Sequence, residues 1–110
     1  KLARLTYTDS STGLMWARQD SGRDIIWQDA KRYCENYRAG SFTDWRVPTY
    51  DELTGLFASG NLKDKIKSTK WVCAFDTRGS QGGYFSMRSG QKVWNPQTAS
   101  CYVLPVRNAK

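Results

Sequence analysis

The spacing of apolar positions changes several times along the chain, and each change marks an element. Residues 2–7 and 14–17 are short apolar stretches flanking Asp9-Ser10-Ser11-Thr12-Gly13, a run of turn-forming residues. This arrangement predicts a β-hairpin with the run as its loop. From residue 25 the period lengthens: Ile26, Ala30, Cys34 and Tyr37 share one face at helical spacing. That predicts a helix over 25–38, capped by Asp20 or Asp24 and stopped by Gly40. A second helix over 49–58 has a stronger start signal. Pro48 fixes the approach, Thr49 is an N-cap and Glu52 stands three residues on, a capping box. Leu53, Leu56 and Phe57 give it a core face, and Gly60 ends it.

Beyond residue 60 the pattern is broken. Residues 61–70 are polar and basic around a single apolar anchor, Ile66, and predict a loop. Residues 71–75 read as a strand. Residues 77–83 hold three glycines and no apolar residue, and so read as loop. Residues 84–88 and 91–94 predict a hairpin turning at Ser89-Gly90, ended by Asn95-Pro96. The last strand, over 101–107, contains Pro105, which cannot donate to a ladder and requires an edge or a bulge. Strands at both ends with two helices between them predict an α+β fold. In it, residues 1–7 and 101–107 are antiparallel neighbours and the termini are adjacent.

At 110 residues the chain makes one domain. Five Trp and six Tyr can supply much of its core, since such rings bury more area than any other side chain. No run reaches the ~20 apolar residues needed to span a bilayer, so no membrane insertion is expected. The sequence opens at Lys1 without a signal-peptide pattern and reads as a module cut from a longer protein. Histidine is absent, which removes the commonest general base and the usual nitrogen ligand for zinc. No set of base, nucleophile and orienting group stands out. Carboxylate pairs such as Asp51 and Glu52 lie where helix starts explain them, so no enzymatic activity is expected. The three cysteines, Cys34, Cys73 and Cys101, are too far apart for a C-x-x-C metal or redox motif. They allow one disulfide and one free thiol.

Charge changes the picture more. Residues 61–92 hold Lys63, Lys65, Lys67, Lys70, Arg78, Arg88 and Lys92 against Asp64 and Asp76, a local +5 within a chain total of +7. Lys63, Lys65 and Lys67 alternate, so an extended segment would put all three on one side. Arg78 and Arg88 offer forked donors suited to sulfate or phosphate. Trp71, Tyr84 and Trp94 interleave with them, and a ring beside a cation suits sugar faces. Trp71 reads as core, whereas Trp94, in a turn beside Pro96, is open to either reading. The candidate ligand-binding set is thus Lys63, Lys65, Lys67, Lys70, Arg78, Tyr84, Arg88, Lys92 and Trp94. Its partner would be a glycan or another polyanion on a cell or matrix surface.

Four blocks come in a distinctive order. They are Thr12-Gly13-Leu14-Met15-Trp16; Trp27-Gln28-Asp29-Ala30 with Tyr33-Cys34; Asp44-Trp45-Arg46-Val47-Pro48-Thr49 with Glu52-Leu53; and Leu104-Pro105-Val106-Arg107. Together they resemble the Lcl C-terminal domain family, named for a bacterial collagen-like adhesin, over nearly the whole chain. The resemblance implies a C-type-lectin-like fold: a twisted antiparallel sheet, two helices and a long loop region presenting the ligand surface. It also implies a secreted or cell-surface location on a bacterial envelope. The adhesin's own domain binds sulfated glycosaminoglycan-type polysaccharide as a trimer, so the resemblance extends to a homo-oligomer. The rival class is an assembly module, a pilin head or tip domain whose basic loops meet acidic protein partners.

On the residues themselves, Trp16, Trp27 and Trp45 are expected to pack between helices and sheet, with Arg46 held by Glu52 or Asp44. The calcium motifs of C-type lectins are not met: the nearest run, Trp94-Asn95-Pro96-Gln97, has the wrong order and no acid. No cofactor is expected. A Cys34–Cys101 disulfide would imitate the lectin bridge from first helix to last strand, and the resemblance favours it. Cys73–Cys101, and three reduced thiols, remain open on the sequence.

Overall fold

The computed structural model describes residues 5–60 and 65–109. Within them the order is β1 (Thr6–Asp9), β2 (Leu14–Ala17), β3 (Ile25–Ile26), α1 (Ala30–Glu35), α2 (Tyr50–Ala58), β4 (Trp71–Arg78), β5 (Gln81–Ser86), β6 (Lys92–Pro96), β7 (Ser100–Cys101) and β8 (Val106–Asn108). The fold is α+β with antiparallel sheets in the orders β1-β2-β8, β3-β7 and β4-β5-β6.

The predicted first hairpin is present. The Asp9 carboxylate accepts from the Ser11 N–H at 3.0 Å and the Ser11 hydroxyl at 2.6 Å, while Gly13 takes a left-handed φ of 73°. The first and last strands share a sheet but are not neighbours, because β2 lies between them. Trp16 and Ala17 of β2 are fully buried, and a strand that buries this much takes the centre, leaving half-exposed β1 at the edge. The predicted strand over 101–107 is interrupted. Val103, Leu104 and Pro105 form a buried connector between β7 and β8, and the Pro105 carbonyl accepts from the Ala17 N–H at 3.0 Å. Having no N–H, Pro105 can take part in pairing only as an acceptor.

The first helix is shorter than predicted. Ala30 and Cys34 are buried at helical spacing, but Ile25 and Ile26 form a strand paired with Cys101 and Ser100. Ile25 points inward and Ile26 outward, the two-residue alternation that β-branched side chains favour. A single 3-10 turn, Trp27–Asp29, then leads into α1. Neither proposed aspartate caps it: Asp20 instead accepts from the Gly22 N–H and the Ser68 hydroxyl. Gly40 does not end α1 either, but takes φ 69° in the turn Ala39–Ser41. The second helix starts as predicted. The Thr49 hydroxyl accepts from the Glu52 N–H at 3.2 Å, and the Glu52 carboxylate accepts from the Thr49 N–H at 3.0 Å.

The largest departure is at residues 77–83, which form a hairpin and not a loop. β4 runs on to Arg78, Gly79-Ser80 makes a two-residue turn, and β5 begins at Gln81. Gly82 and Gly83 hide this strand from any hydropathy pattern because they have no side chains. Their bareness lets two rings rest on the sheet from opposite faces. A Cβ at Gly82 would lie 2.4 Å from the Trp27 indole, and one at Gly83 would lie 2.8 Å from the Tyr50 ring. The Trp27 indole N–H donates toward the carbonyls of Ala74 (2.9 Å) and Gly83 (3.2 Å). Register shifts beside this contact, and Phe75 and Asp76 bulge from β4 without partners opposite.

The β4-β5-β6 sheet divides the interior. Val72, Ala74 and Phe85 join Trp16, Leu53, Leu56 and Leu104 on one face, while Cys73 and Tyr84 join Cys34, Trp45 and Val103 on the other. On that second face the disulfide links Cys73 to Cys101, with Cα atoms 5.4 Å apart, and Cys34 is free and buried. The favoured Cys34–Cys101 pairing is thereby corrected. The physical reason is direct strand contact. The Cys73 N–H donates to Tyr102 and the Tyr102 N–H to Trp71, both at 2.9 Å, which sets the two cysteines side by side.

Candidate ligand-binding surface

The basic residues divide into separate groups. Lys65 and Lys67 are exposed on either side of buried Ile66, but Lys65 is helical, so the segment is not extended throughout as expected. Hydrogen bonds fasten this segment to residues 18–20. The Lys67 N–H donates to the Arg18 carbonyl at 2.7 Å, and the Arg18 guanidinium donates to the Lys65 carbonyl at 2.9 Å. Lys63 lies outside the described residues. Lys70 and Arg88 share one end of the β4-β5-β6 sheet, since the Lys70 carbonyl accepts from the Met87 N–H at 3.0 Å. Arg78 belongs to the opposite end, where β4 turns into β5.

The aromatic members are reassigned. Tyr84 leaves the surface set: it is 2% exposed, and its hydroxyl is directed at the carbonyls of Pro96 (2.6 Å) and Ala99 (3.2 Å). Its place opposite Cys73, on the face covered by the disulfide and Val103, accounts for this. Trp71, read as core, is 40% exposed. Trp94 is half-buried, edge-on to Tyr50 with ring centroids 5.1 Å apart.

Around that ring pair the charges converge. The Arg78 guanidinium lies 6.0 Å from the centre of the Trp94 ring, and the Lys92 ammonium 5.6 Å from that of Tyr50. Both distances are within the reach of cation–π attraction. Tyr50 is rigidly placed, because its hydroxyl donates to the Val93 carbonyl at 2.5 Å and accepts from the Tyr84 N–H at 3.1 Å. Burial raises its pKa, so the hydroxyl stays protonated as a donor. The result is an aromatic pair at the outer strand β6 with a cation on either side.

The blocks that carried the family resemblance form a structural lock. Arg46 is held by Glu52, as one of the two expectations had it, through bonds of 2.8 and 2.7 Å. A third bond, 2.9 Å, goes to Asn108, and the Arg46 backbone pairs with Val106. Arg107 is clamped by Asp44 at 2.5 and 3.2 Å and lies 3.7 Å above the Phe42 ring. Burial pushes the Glu52 pKa up, but bonding to Arg46 and Thr49 wins and holds it below the ordinary carboxylate range. Bonding to Arg107 lowers that of Asp44. In the neighbouring core, burial pushes the Cys34 thiol up to about 12, which leaves it protonated and unreactive.

One concavity had no counterpart in the sequence reading. An open groove of about 720 Å³ runs beside α1, lined by Arg23, Asp24, Asp29, Arg32, Tyr33 and Tyr37 among others. Residues of β3 and α1 both contribute to its walls.

Small antiparallel sheets, helices α1 and α2 and a locked C-terminal strand define an α+β domain organised by the four sequence blocks. The chain belongs to the Lcl C-terminal domain family, which matches residues 5–107 and makes this an adhesin-like domain. A comparison with curated proteins returns no match.

Proposed function

We propose that the domain is a non-catalytic adhesion module, exposed on a bacterial cell surface, that binds a sulfated polysaccharide through basic loops following α2. The scaffold in this reading is C-type-lectin-like. The observation that carries it is the Tyr50–Trp94 pair bracketed by Lys92 and Arg78. A sugar ring offers C–H groups to an indole, and its sulfates need cations at either side; this edge of the sheet supplies both. Lys65, Lys67, Lys70 and Arg88 extend the positive field along a longer chain. The disulfide suits an oxidising, extracellular setting.

Retention on immobilised heparin tests the reading. Reversing Arg78 and Lys92 to Glu should abolish retention, whereas reversing Lys31 and Arg32 on α1, an equal charge change, should only weaken it. Each exposed contact is worth about 0–1 kcal/mol, so paired reversals are needed. Retention should also fall steeply with salt as counterions compete. Equal losses from both pairs would reduce the effect to net charge and defeat the localised site.

A second reading, an assembly module of a pilus or envelope protein, draws on Phe75. This ring is 59% exposed on the bulge and borders a small hollow of about 250 Å³ beside Trp45 and Val47. Capture of an acidic subunit that Phe75→Ser abolishes, with heparin retention unchanged, would favour it.

A further inference from the structure

Trp71 combines a fixed backbone with an exposed ring. Its backbone is tightly held: it pairs with Ser86, its carbonyl accepts from the Tyr102 N–H at 2.9 Å, and the Cys73–Cys101 bridge begins two residues on. Its ring is nevertheless 40% exposed. Among the described residues no aromatic ring stacks on it and no cation lies over it, in contrast to Trp94.

Two hollows meet at this ring. One, of about 390 Å³, is bordered by Gln91, Asn95 and Ser100 above Tyr84 and Val93. The other, of about 300 Å³, is bordered by Asp24, Lys70 and Tyr102. Gln91 and Asn95 are exposed, and neither carboxamide bonds to any described group. The first hollow holds no charge, and in the second Asp24 offsets Lys70. A flat indole, two free carboxamides and a hydroxyl in an uncharged setting match a pyranose. The ring C–H face stacks on Trp71, and each amide can both donate to and accept from neighbouring hydroxyls.

We propose that Trp71 is the stacking platform of a second site, one that takes a neutral saccharide. The site is independent of the basic edge, because strand alternation sends the two to opposite faces of one sheet. Trp71 shares its face with Cys73, Tyr84 and Asn95, whereas Lys92 and Trp94 lie opposite Phe85 and Gly83 on the face toward α2.

Titration of the intact domain with unsulfated methyl pyranosides and with cello-, malto- and chito-oligosaccharides, read by tryptophan fluorescence and, for the Trp71 variants, by isothermal titration calorimetry, tests this. At least one probe should give a saturable shift that molar sodium chloride leaves unchanged. Trp71→Ala should weaken binding by roughly tenfold or more, as loss of an aromatic anchor does. Trp71→Phe should retain part of it, and Asn95→Ala should weaken it in a protein of unchanged melting temperature. Heparin retention should be unaltered in all three, and Arg78→Glu/Lys92→Glu should bind the neutral probe normally, so each site succeeds or fails on its own. No saturable shift with any neutral probe overturns the proposal. So does a shift that salt abolishes, or one that both Trp71 variants leave intact.

Discussion

The carboxylate of Asp76 accepts the backbone N–H of Tyr50 at 2.8 Å, joining the bulge in β4 to the first turn of α2. The Phe75 N–H donates to the Pro48 carbonyl at 2.7 Å, so the bulge is pinned to the helix entry at two consecutive residues. Tyr50 in turn supports Trp94, which makes the bulge a fixture of the basic edge.

Asp76→Ala should therefore destabilise the domain by about 1 kcal/mol, the usual effect of losing a side-chain acceptor at a helix N-terminus. Asp76→Asn should recover part of it. Urea unfolding measures the loss, and near-ultraviolet circular dichroism should show that the Tyr50–Trp94 pair has loosened.

Three glycine substitutions should have opposite consequences. Gly82→Ala and Gly83→Ala place a methyl group inside the Trp27 and Tyr50 contacts and should each cost about 1–3 kcal/mol. At Gly55, inside α2, an added Cβ meets nothing within 4 Å and the backbone is helical. Gly55→Ala should stabilise by up to about 1 kcal/mol. Thermal unfolding of the three variants checks both directions.

Stability should fall in acid, in a window fixed by Glu52 and Asp44. Both have folded-state pKa values below the ordinary carboxylate range, so the unfolded chain binds protons more readily than the folded one. Their contribution is complete above the unfolded values, near pH 4, and is lost as pH drops through the folded ones. Glu52 should dominate, because Asp44 is mostly exposed and solvent screens it. Glu52→Gln should lower stability at neutral pH by about 1–2 kcal/mol and flatten the acid dependence. Chemical unfolding between pH 2 and pH 7 gives the comparison.

Non-reducing peptide mapping should recover one bridged pair, Cys73 with Cys101. Cys34 should resist alkylation until the protein is unfolded, since it is 1% exposed and its thiol stays protonated. The bridge spans 28 residues, for which the chain-entropy relation gives about 3.5 kcal/mol. Replacing both cysteines by Ser should cost an amount of that order.

Features governed by neighbours in sequence were legible beforehand. The capping box at Thr49 and Glu52 and the hairpin turning at residues 9–13 both depend on residues a few positions apart. Features governed by contact across the fold were not. Ile26 matched the helical face of Ala30 and Cys34, yet pairing with Ser100 drew it into a strand. Gly82 and Gly83 looked like loop because a hydropathy pattern cannot register an absent side chain. Trp71, read as core, is exposed, and Trp94, open to either reading, is half-buried, because which face of a strand is covered depends on what is packed there, and Tyr50 stands against Trp94. The cysteine pairing followed from the course of residues 101–102 along β4, which no spacing encodes.

The placement of β2 between β1 and β8 has a mechanical consequence. Both flanking strands run antiparallel to β2 and hence in the same direction. The chain enters β1 at Thr6, opposite Ala17, and leaves β8 at Asn108, opposite Leu14. A pull on the two chain ends therefore drags β1 and β8 in opposite senses along their own axes. The ladder bonds lie across that direction and are strained together in shear, not unzipped one at a time. The clamps on Arg46 and Arg107 brace β8 against the same load. Should the sheet yield, the disulfide still withholds the segment from Cys73 to Cys101, roughly 100 Å of contour at the length of an extended residue. Tension would thus meet a shear-loaded clasp backed by a covalent stop.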